Sequence, residues 1–286
     1  MQKRLFNLHN HSHYCDGSSA PEEYVKMAIN KGFDTLGFSS HAPVPFKNKF
    51  AIRDEEKLLE YAAEIRQLKE KYRNSLNIFL SLEIDYIPGI TQDFKYFKDL
   101  VKLDYTIGGV HLVKNEGKHG LWFIDGPLQA TYDKGLRDVF DDDIKKGVTN
   151  YWEQIREMIT TQNPDIIAHL DKIKMHNKNR FFTEDEPWYV DQIDRTLELI
   201  SHTKCIVEVN TRGIYKGRSD ELFPGKAALK KIYEMGIPIT LNSDAHKPEE
   251  LSAYFEEARQ IFKDIGFRYL KLYTADGWED TLICEG

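Results

Sequence analysis

The chain has 286 residues, with 39 lysines and arginines against 46 aspartates and glutamates, so its formal net charge is −7 with histidine counted as neutral. This acidic balance argues against a general binder of nucleic acid or of anionic membranes, because those interactions need basic surface. A composition of 41% hydrophobic and 30% charged residues indicates a globular protein with a large core.

Hydrophobic periodicity predicts strands that alternate with helices along the whole chain. The predicted strands are 5–9, 35–39, 78–84, 105–110, 165–168, 205–209, 237–241 and 268–273. The predicted helices are 22–30, 54–73, 94–101, 151–161, 189–201, 226–235 and 249–264. Residues 112–149 contain several glycines, a proline and an acidic run, and we expect them to form a long excursion over one face.

Strands that alternate with helices predict an α/β fold with a parallel sheet. Seven or eight such units without a linker-like break favour one closed barrel over two domains, with an open doubly wound sheet as the alternative. No glycine-rich phosphate loop follows the first strand, so nucleotide binding of that kind has no support.

The three cysteines are too few and too scattered for a disulfide framework or a thiolate zinc site; they are Cys15, Cys205 and Cys284. Residues 1–13 lack the apolar stretch of a secretory signal, and apolar runs such as 164–170 fall far short of the ~20 residues that span a bilayer. The sequence therefore predicts a cytoplasmic protein without a membrane partner. No pattern in it assigns an oligomeric state.

Imidazole or carboxylate side chains follow almost every predicted strand. The candidates are His9, His11, His41, Glu83, His111, His169, Glu208, Asp244 and His246. A single histidine after a strand is usually structural, but the C-terminal strand ends of a parallel barrel meet at one rim and assemble the active site there. The presence of such residues at the C-terminal ends of so many strands favours a metal site.

The spacing within this set supports the same interpretation. His9 and His11 are two residues apart in an extended chain and point to the same side, and Asp244 and His246 repeat the pattern. Histidine, aspartate and glutamate ligands suit zinc, manganese or iron. Glu83 could bridge two ions, which makes it the natural centre of a multinuclear site.

Short segments along the chain resemble the motifs of the polymerase and histidinol phosphatase (PHP) superfamily. They are HNH (9–11) with CDG (15–17), SHAP (40–43), LEIDY (82–86), GVH (109–111), IAHLD (167–171) and NSDAH (242–246). Segments 83–89 and 208–213 most resemble the stand-alone histidinol-phosphatases of histidine biosynthesis. The resemblance implies a distorted (β/α)7 TIM-like barrel, with one PHP-type metal-dependent phosphoesterase domain over residues 1–286.

The resemblance also implies a centre of two to three divalent ions. The first would be held by His9, His11, Glu83 and Asp244, the second by Glu83, His111 and His169, and the third by Asp16, His41 and His246. Some members of the superfamily have a histidine where Asp16 stands here.

The implied reaction is hydrolysis of the small phosphate ester L-histidinol phosphate to L-histidinol and phosphate, by attack of metal-activated hydroxide. Glu83, Asp244 and His246 are the predicted catalytic residues. The proton for the leaving group could come from water, from His246 or from a nearby carboxylate.

Residues outside the metal set are candidates for substrate contacts. Arg212 is the first candidate for binding phosphate, because a guanidinium group pairs with phosphate through two parallel hydrogen bonds, and Arg180 is the second. Lys172 follows His169 closely enough to orient it or to contact substrate. Within the excursion, the hypothesis is that an imidazole ring contacts Trp122 and an ammonium group contacts Asp125.

Three alternatives stay open. The same chemistry could act on another phosphoester, such as a nucleotide bisphosphate or phosphotyrosine, because loops select the substrate. Amidohydrolases also begin with two histidines on a barrel strand, but they usually have a lysine on a middle strand and a lone final aspartate, where this chain has Glu83 and the 244–246 motif. A structural module of a replicative polymerase is the third alternative, and its polymerase segment is missing from these residues.

Overall fold

Parallel strands arranged in a ring form the centre of the protein in the computed structural model, which describes residues 3–283. The strands are β1 (Phe6–Asn7), β2 (Thr35–Phe38), β3 (Asn77–Leu80), β4 (Glu83–Asp85), β5 (Ile107–Gly109), β6 (Leu112–Lys114), β7 (Leu121–Phe123), β8 (Ile166–Ile167), β9 (Ile206–Asn210), β10 (Ile239–Asn242), β11 (Tyr269–Thr274) and β12 (Gly277–Leu282). The helices are α1 (Pro21–Asn30), α2 (Glu55–Lys71), α3 (Phe94–Val101), α4 (Gln129–Phe140), α5 (Ile144–Gln162), α6 (Pro187–Ser201), α7 (Arg212–Tyr215), α8 (Lys226–Glu234) and α9 (Phe255–Ile265), with 3-10 turns at Lys172–Lys174 and Pro248–Ser252.

The strand order closes a barrel of seven strand positions. One parallel sheet runs β1-β2-β3 and the other runs β4-β5-β8-β9-β10. β3 and β4 are two halves of one barrel strand, since β3 pairs with β2 and β4 pairs with β5. Single parallel bridges, His41 to Glu83 and Asn10 to Ala245, join the two sheets on either side. The predicted α/β single-domain barrel is confirmed. Its strands are short and one of them is interrupted, so the barrel is distorted from a regular (β/α) barrel.

The C-terminal segment departs from the predicted alternation. The predicted strand 268–273 is β11, which pairs with β12 as an antiparallel hairpin outside the ring. The predicted helix 249–264 begins as a 3-10 turn and becomes α9 only at Phe255, because Tyr254 has a left-handed backbone with φ 65° that interrupts the helix. Arg4 donates its backbone N–H to Thr281 at 3.1 Å, so the hairpin lies beside the N-terminal end of the barrel.

The predicted excursion 112–149 is more ordered than its composition indicates. It contains the hairpin β6-β7, the helix α4 and the start of α5, which begins at Ile144 rather than at residue 151. The acidic run explains the earlier start, because the Asp143 carboxylate accepts a hydrogen bond from the Lys146 backbone at 3.0 Å and caps the helix.

The barrel interior is filled by side chains. Tyr105 is fully buried and donates its hydroxyl to the Leu8 carbonyl inside the ring. A Cβ atom on Gly37 would lie only 1.9 Å from the Tyr105 hydroxyl, so this strand position must be glycine. A packed interior leaves the ends of the strands as the place for a cavity.

Among residues 3–283, no helix has both the length and the apolar character needed to cross a bilayer. Cys15 and Cys205 are free thiols, and Cys284 lies outside the described residues.

Candidate metal centre

The C-terminal ends of the barrel strands bring the predicted metal ligands together. Three groups have ligand atoms within 4.8 Å of one another: His9, His11 and Asp244; His41, Glu83 and His111; and His11, Asp16, His41 and His246. His169 joins them through its Nε2 atom, 2.9 Å from Glu83 Oε1. All nine predicted ligands therefore lie in one cluster, although His11 and His41 each fall in two groups where the sequence assigned each of them to a single ion.

Glu83 lies between two pairs of imidazoles. Its Oε2 atom is 3.1 Å from His9 Nε2 and 3.3 Å from His11 Nε2. Its Oε1 atom is 2.9 Å from His169 Nε2 and 3.5 Å from His111 Nε2. The two carboxylate oxygens thus face different histidine pairs, which is the arrangement a bridging ligand requires.

The spacing within each pair fits a shared ion. His9 Nε2 is 3.1 Å from His11 Nε2, and His111 Nε2 is 3.0 Å from His169 Nε2. Two nitrogens bound to one tetrahedral zinc ion at about 2.0–2.1 Å lie roughly 3.3 Å apart. Imidazole nitrogens that face each other at this distance are well placed as joint ligands.

Unpartnered polar atoms in the cluster also fit metal ions. His41 Nδ1 and Asp244 Oδ1 are buried and make no hydrogen bond. Such atoms are uncommon in protein interiors because leaving them unsatisfied is costly. A divalent cation would complete the coordination of both.

Buried carboxylates orient two of the histidines from behind. Glu208 Oε1 is 2.6 Å from His9 Nδ1, and Asp85 Oδ1 is 2.6 Å from His111 Nδ1. A carboxylate on one ring nitrogen fixes the tautomer and directs the other nitrogen to the metal. The sequence analysis names Glu208 only as one strand-end candidate of the metal site and gives Asp85 no role, although Asp85 lies two residues from Glu83.

Charges inside the cluster shift several pKa values. Burial disfavours protonation of His9, but the carboxylates of Glu208, Glu83 and Asp244 overcome it and raise the His9 pKa to about 10. Burial opposes ionisation of Glu83, yet the neighbouring imidazoles hold its pKa well below the usual range. Burial, with help from His11 and Arg212, lowers the His246 pKa to about 4 and favours the neutral imidazole that a metal ligand needs.

Two candidate ligands have strained backbones at strand ends. His169 has φ 25° and Asp244 has φ 53°, both in a region that residues other than glycine rarely adopt. Backbone strain of this kind is concentrated at functional sites. Gly109 also constrains the sequence at this site, because a Cβ atom added there would lie 3.2 Å from Glu83 Oε1 and 3.3 Å from His169 Cε1.

A cavity of about 120 Å³ opens onto the cluster. Besides candidate ligands, it is lined by three cationic residues, Lys172, Arg212 and Arg218. Arg212 donates to the Asp244 carbonyl at 2.8 Å, and Asp244 is the main charge that raises the pKa of its guanidinium against the effect of burial. The predicted phosphate-binding residue Arg212 therefore faces the centre, together with Arg218, which the sequence prediction missed.

Lys172 is the most deeply placed of these cations. Its side chain is 4% exposed, and its Nζ atom is 2.8 Å from Asp125 Oδ2 and 3.4 Å from His111 Nε2. Burial opposes its charge, but Asp125 raises its pKa, so it stays an ammonium group. Asp125 thus lines the cavity, but its carboxylate contacts a cation of the protein itself rather than the substrate ammonium group of the sequence hypothesis.

Two predicted substrate contacts lie elsewhere. The Arg180 guanidinium forms hydrogen bonds of 3.0 and 2.7 Å with Asp133, so Arg180 is a partly exposed ion-pair partner outside the cavity lining. Trp122 is fully buried and donates its indole N–H to the Tyr132 carbonyl at 2.9 Å. It anchors the excursion to α4 and cannot reach a substrate ring.

Sequence comparisons relate this chain to known proteins. The sequence model of the PHP domain family matches residues 7–212. The chain is 28% identical to the "Probable histidinol-phosphatase" of Deinococcus radiodurans over 268 residues, 92% of this chain and 95% of that protein. It is 24% identical to the histidinol-phosphatase of Bacillus subtilis over 277 residues, 90% of this chain and 98% of that protein.

Solved structures share the fold. HisK of Listeria monocytogenes superimposes with a TM-score of 0.74 at 21% identity, over 88% of this chain and 99% of that one. The histidinol phosphate phosphatase of Lactococcus lactis, solved with zinc, L-histidinol and phosphate, gives a TM-score of 0.66 at 20% identity, over 96% of this chain and 99% of that one.

Proposed function

This chain belongs to the PHP domain family, and from that premise we propose that it is a metal-dependent phosphatase that hydrolyses L-histidinol phosphate to L-histidinol and phosphate in histidine biosynthesis. The observation that carries the proposal is one cavity in which the Glu83 cluster meets three cationic side chains. Relatives named histidinol-phosphatase that align over nearly all of the chain support the choice of substrate. The domain, in this proposal, extends over residues 1–286.

We assign two to three divalent ions, zinc, manganese or iron, to the cluster. The proposed sets are His9, His11, Glu83 and Asp244; Glu83, His111 and His169; and Asp16, His41 and His246. When bound, such ions polarise phosphoryl oxygens and make water acidic enough to supply a nucleophile near neutral pH. Asp16 Oδ1 lies 3.1 Å from His246 Nε2, which supports their common assignment.

The cationic side chains bind and orient the phosphate. Charge on the three equatorial oxygens of a transferring phosphoryl group needs positive partners in fixed positions. Arg212 is held by the Asp244 carbonyl, and Lys172 is held by Asp125, so neither has to reorganise when the ester arrives. Arg218 Nη1 lies 3.9 Å from Asp125 Oδ1 and adds a third positive charge.

Glu83, Asp244 and His246 form the proposed catalytic set. All three line the cavity, so they lie beside the position that the phosphate would take. The catalytic chemistry needs no nucleic acid or membrane partner, and a cytoplasmic location is consistent with the free thiols of Cys15 and Cys205.

A phosphate-release panel tests this function. The purified protein would be analysed for bound metal and then assayed with L-histidinol phosphate, phosphotyrosine and a nucleotide bisphosphate. We expect the highest kcat/KM for L-histidinol phosphate. A preference of orders of magnitude for either other substrate would overturn the assignment and keep only the class of chemistry.

A further inference from the structure

Two phenylalanine rings lie nearly parallel to each other in the lining of the metal-centre cavity. From their geometry, we propose that Phe50 and Phe123 form an aromatic clamp that holds the imidazole ring of the substrate, an inference that rests on the proposed function. Phe50 lies in the loop between β2 and α2, and Phe123 is the last residue of β7. The clamp would make these residues determinants of substrate specificity.

The relative position of the rings fits an inserted planar group. Their centroids are 6.4 Å apart and their planes differ by 15°. An imidazole ring placed between the two phenylalanine rings, with carbon atoms about 3.5 Å apart at each face, needs a separation of roughly 7 Å between those rings. Among the ring pairs of residues 3–283, this is the one near-parallel pair, and the others are tilted or edge-on. A small rotation of the Phe50 side chain would admit one imidazole ring.

Neither ring has a structural role in the hydrophobic core. Phe50 and Phe123 are both partly exposed and lie outside the core cluster, unlike Trp122, which fills the interior of the excursion. Partly exposed aromatic side chains in the lining of one polar cavity leave apolar surface that a ligand can cover. A planar ring covers both faces, whereas an aliphatic chain covers them less completely.

The clamp lies beside the proposed phosphate site. Phe50 packs edge-on against His41, with ring centroids 5.3 Å apart and planes at 80°. Two residues beyond Phe123, Asp125 contacts Lys172 at 2.8 Å. The substrate carries its imidazole and its phosphate on one short aliphatic chain, so a ring in the clamp leaves the phosphate near the cations.

The Gly126 backbone lies close beside the Phe123 ring and limits its movement on that side. Gly126 has φ 87°, and a Cβ at this position would lie 3.0 Å from Phe123 Cε1. The Gly126 carbonyl is 3.1 Å from His176 Nε2, which links this loop to the segment after β8. A fixed Phe123 would leave the Phe50 ring to adjust when the substrate enters.

Substrate discrimination by phenylalanine variants tests the clamp. Phe50→Leu and Phe123→Leu would be compared with the unsubstituted protein, using L-histidinol phosphate and L-leucinol phosphate, which has the same amino-alcohol phosphate with an aliphatic side chain. We expect each variant to lower kcat/KM for L-histidinol phosphate about 2- to 10-fold, the range that stacking energies predict. The kcat/KM for L-leucinol phosphate should change less than about twofold on the same scale.

Three controls separate the possible failures. Phe181→Leu removes a partly exposed ring outside the cavity and should leave both substrates unaffected. Metal content should be unchanged in Phe123→Leu, and Phe123→Tyr should keep the discrimination. Suppose that the unsubstituted, metal-loaded protein hydrolyses L-histidinol phosphate, but that the variants lower kcat/KM equally for both substrates or for neither. The clamp is then wrong and the function stands. If that protein does not hydrolyse L-histidinol phosphate, the function and the clamp are both refuted.

Discussion

Replacing Glu83 with glutamine is the sharpest test of a bridging carboxylate. Glutamine keeps the size and shape of the side chain but presents only one oxygen, with an NH₂ group in the other position. In the native cluster, one carboxylate oxygen faces His9 and His11 and the other faces His111 and His169. The amide can therefore serve one histidine pair and must turn a group that cannot bind metal towards the other.

The size of the effect follows from these contacts. The side chain at position 83 is 1% exposed, so solvent cannot replace the lost carboxylate oxygen, and the cluster also loses one negative charge. Residues that only orient a ligand change metal affinity about 10- to 100-fold, and a direct ligand should cost more. We expect kcat to fall at least about 10²- to 10³-fold, the cost of losing one preorganised electrostatic group.

Elemental analysis and phosphate release on the same sample provide the assay. Metal content and kcat should fall together in Glu83→Gln, while circular dichroism shows a folded protein. Glu279→Gln is the matched control, because Glu279 lies in the C-terminal hairpin, is partly exposed and pairs with Arg4. A Glu83→Gln protein with native metal content and native kcat would refute the bridging role.

Three further predictions address the surroundings of the centre. Arg212→Ala should leave metal content unchanged and lower kcat/KM, measured by phosphate release, about 10- to 100-fold. Arg180→Ala should change kcat/KM less than about twofold. Equal losses of kcat/KM in the two variants would contradict the placement of the phosphate. Glu208→Gln should weaken metal binding about 10- to 100-fold in a chelator competition, because His9 loses the carboxylate that orients its ring, and unchanged affinity would argue against that role. Gly109→Ala should lower activity more than it lowers the melting temperature, since its Cβ would press on the bridging carboxylate at 3.2 Å; native activity would show that the cluster can adjust.

Hydrophobic periodicity predicts a helix or strand well where the bounds of that element follow from the apolar pattern within it. The helix predicted at 94–101 is α3 with the same bounds, because its apolar residues recur on one face that packs inward. The break between α9 and the turn before it was missed, since it arises from a left-handed backbone at Tyr254. The predicted start of α5 is too late, because the carboxylate that caps this helix, Asp143, belongs to an acidic run whose composition is typical of a loop.

All proposed ligands except Asp16 could be predicted because parallel strands impose a simple geometry, whereas the role of Asp16 is implied only by the resemblance to the PHP superfamily. Every strand of a closed parallel barrel delivers its C-terminal residues to the same rim, so a histidine or carboxylate there is close to the others wherever the connecting helices lie. The alternation of side chains along an extended chain also placed His9 and His11 on one side. Neither argument needs the packing of distant segments.

The surroundings of the centre were decided by tertiary structure alone. The sequence offers Arg212 as the first and Arg180 as the second candidate for binding phosphate, yet Arg180 pairs with Asp133 and Arg212 faces the cavity. Phe50 and Phe123 are separated by more than seventy residues and meet only because two loops fold over the same strand ends. Strand ends are positioned by hydrogen bonding that sequence patterns encode locally, whereas loop side chains are positioned by long-range contacts that no local pattern specifies.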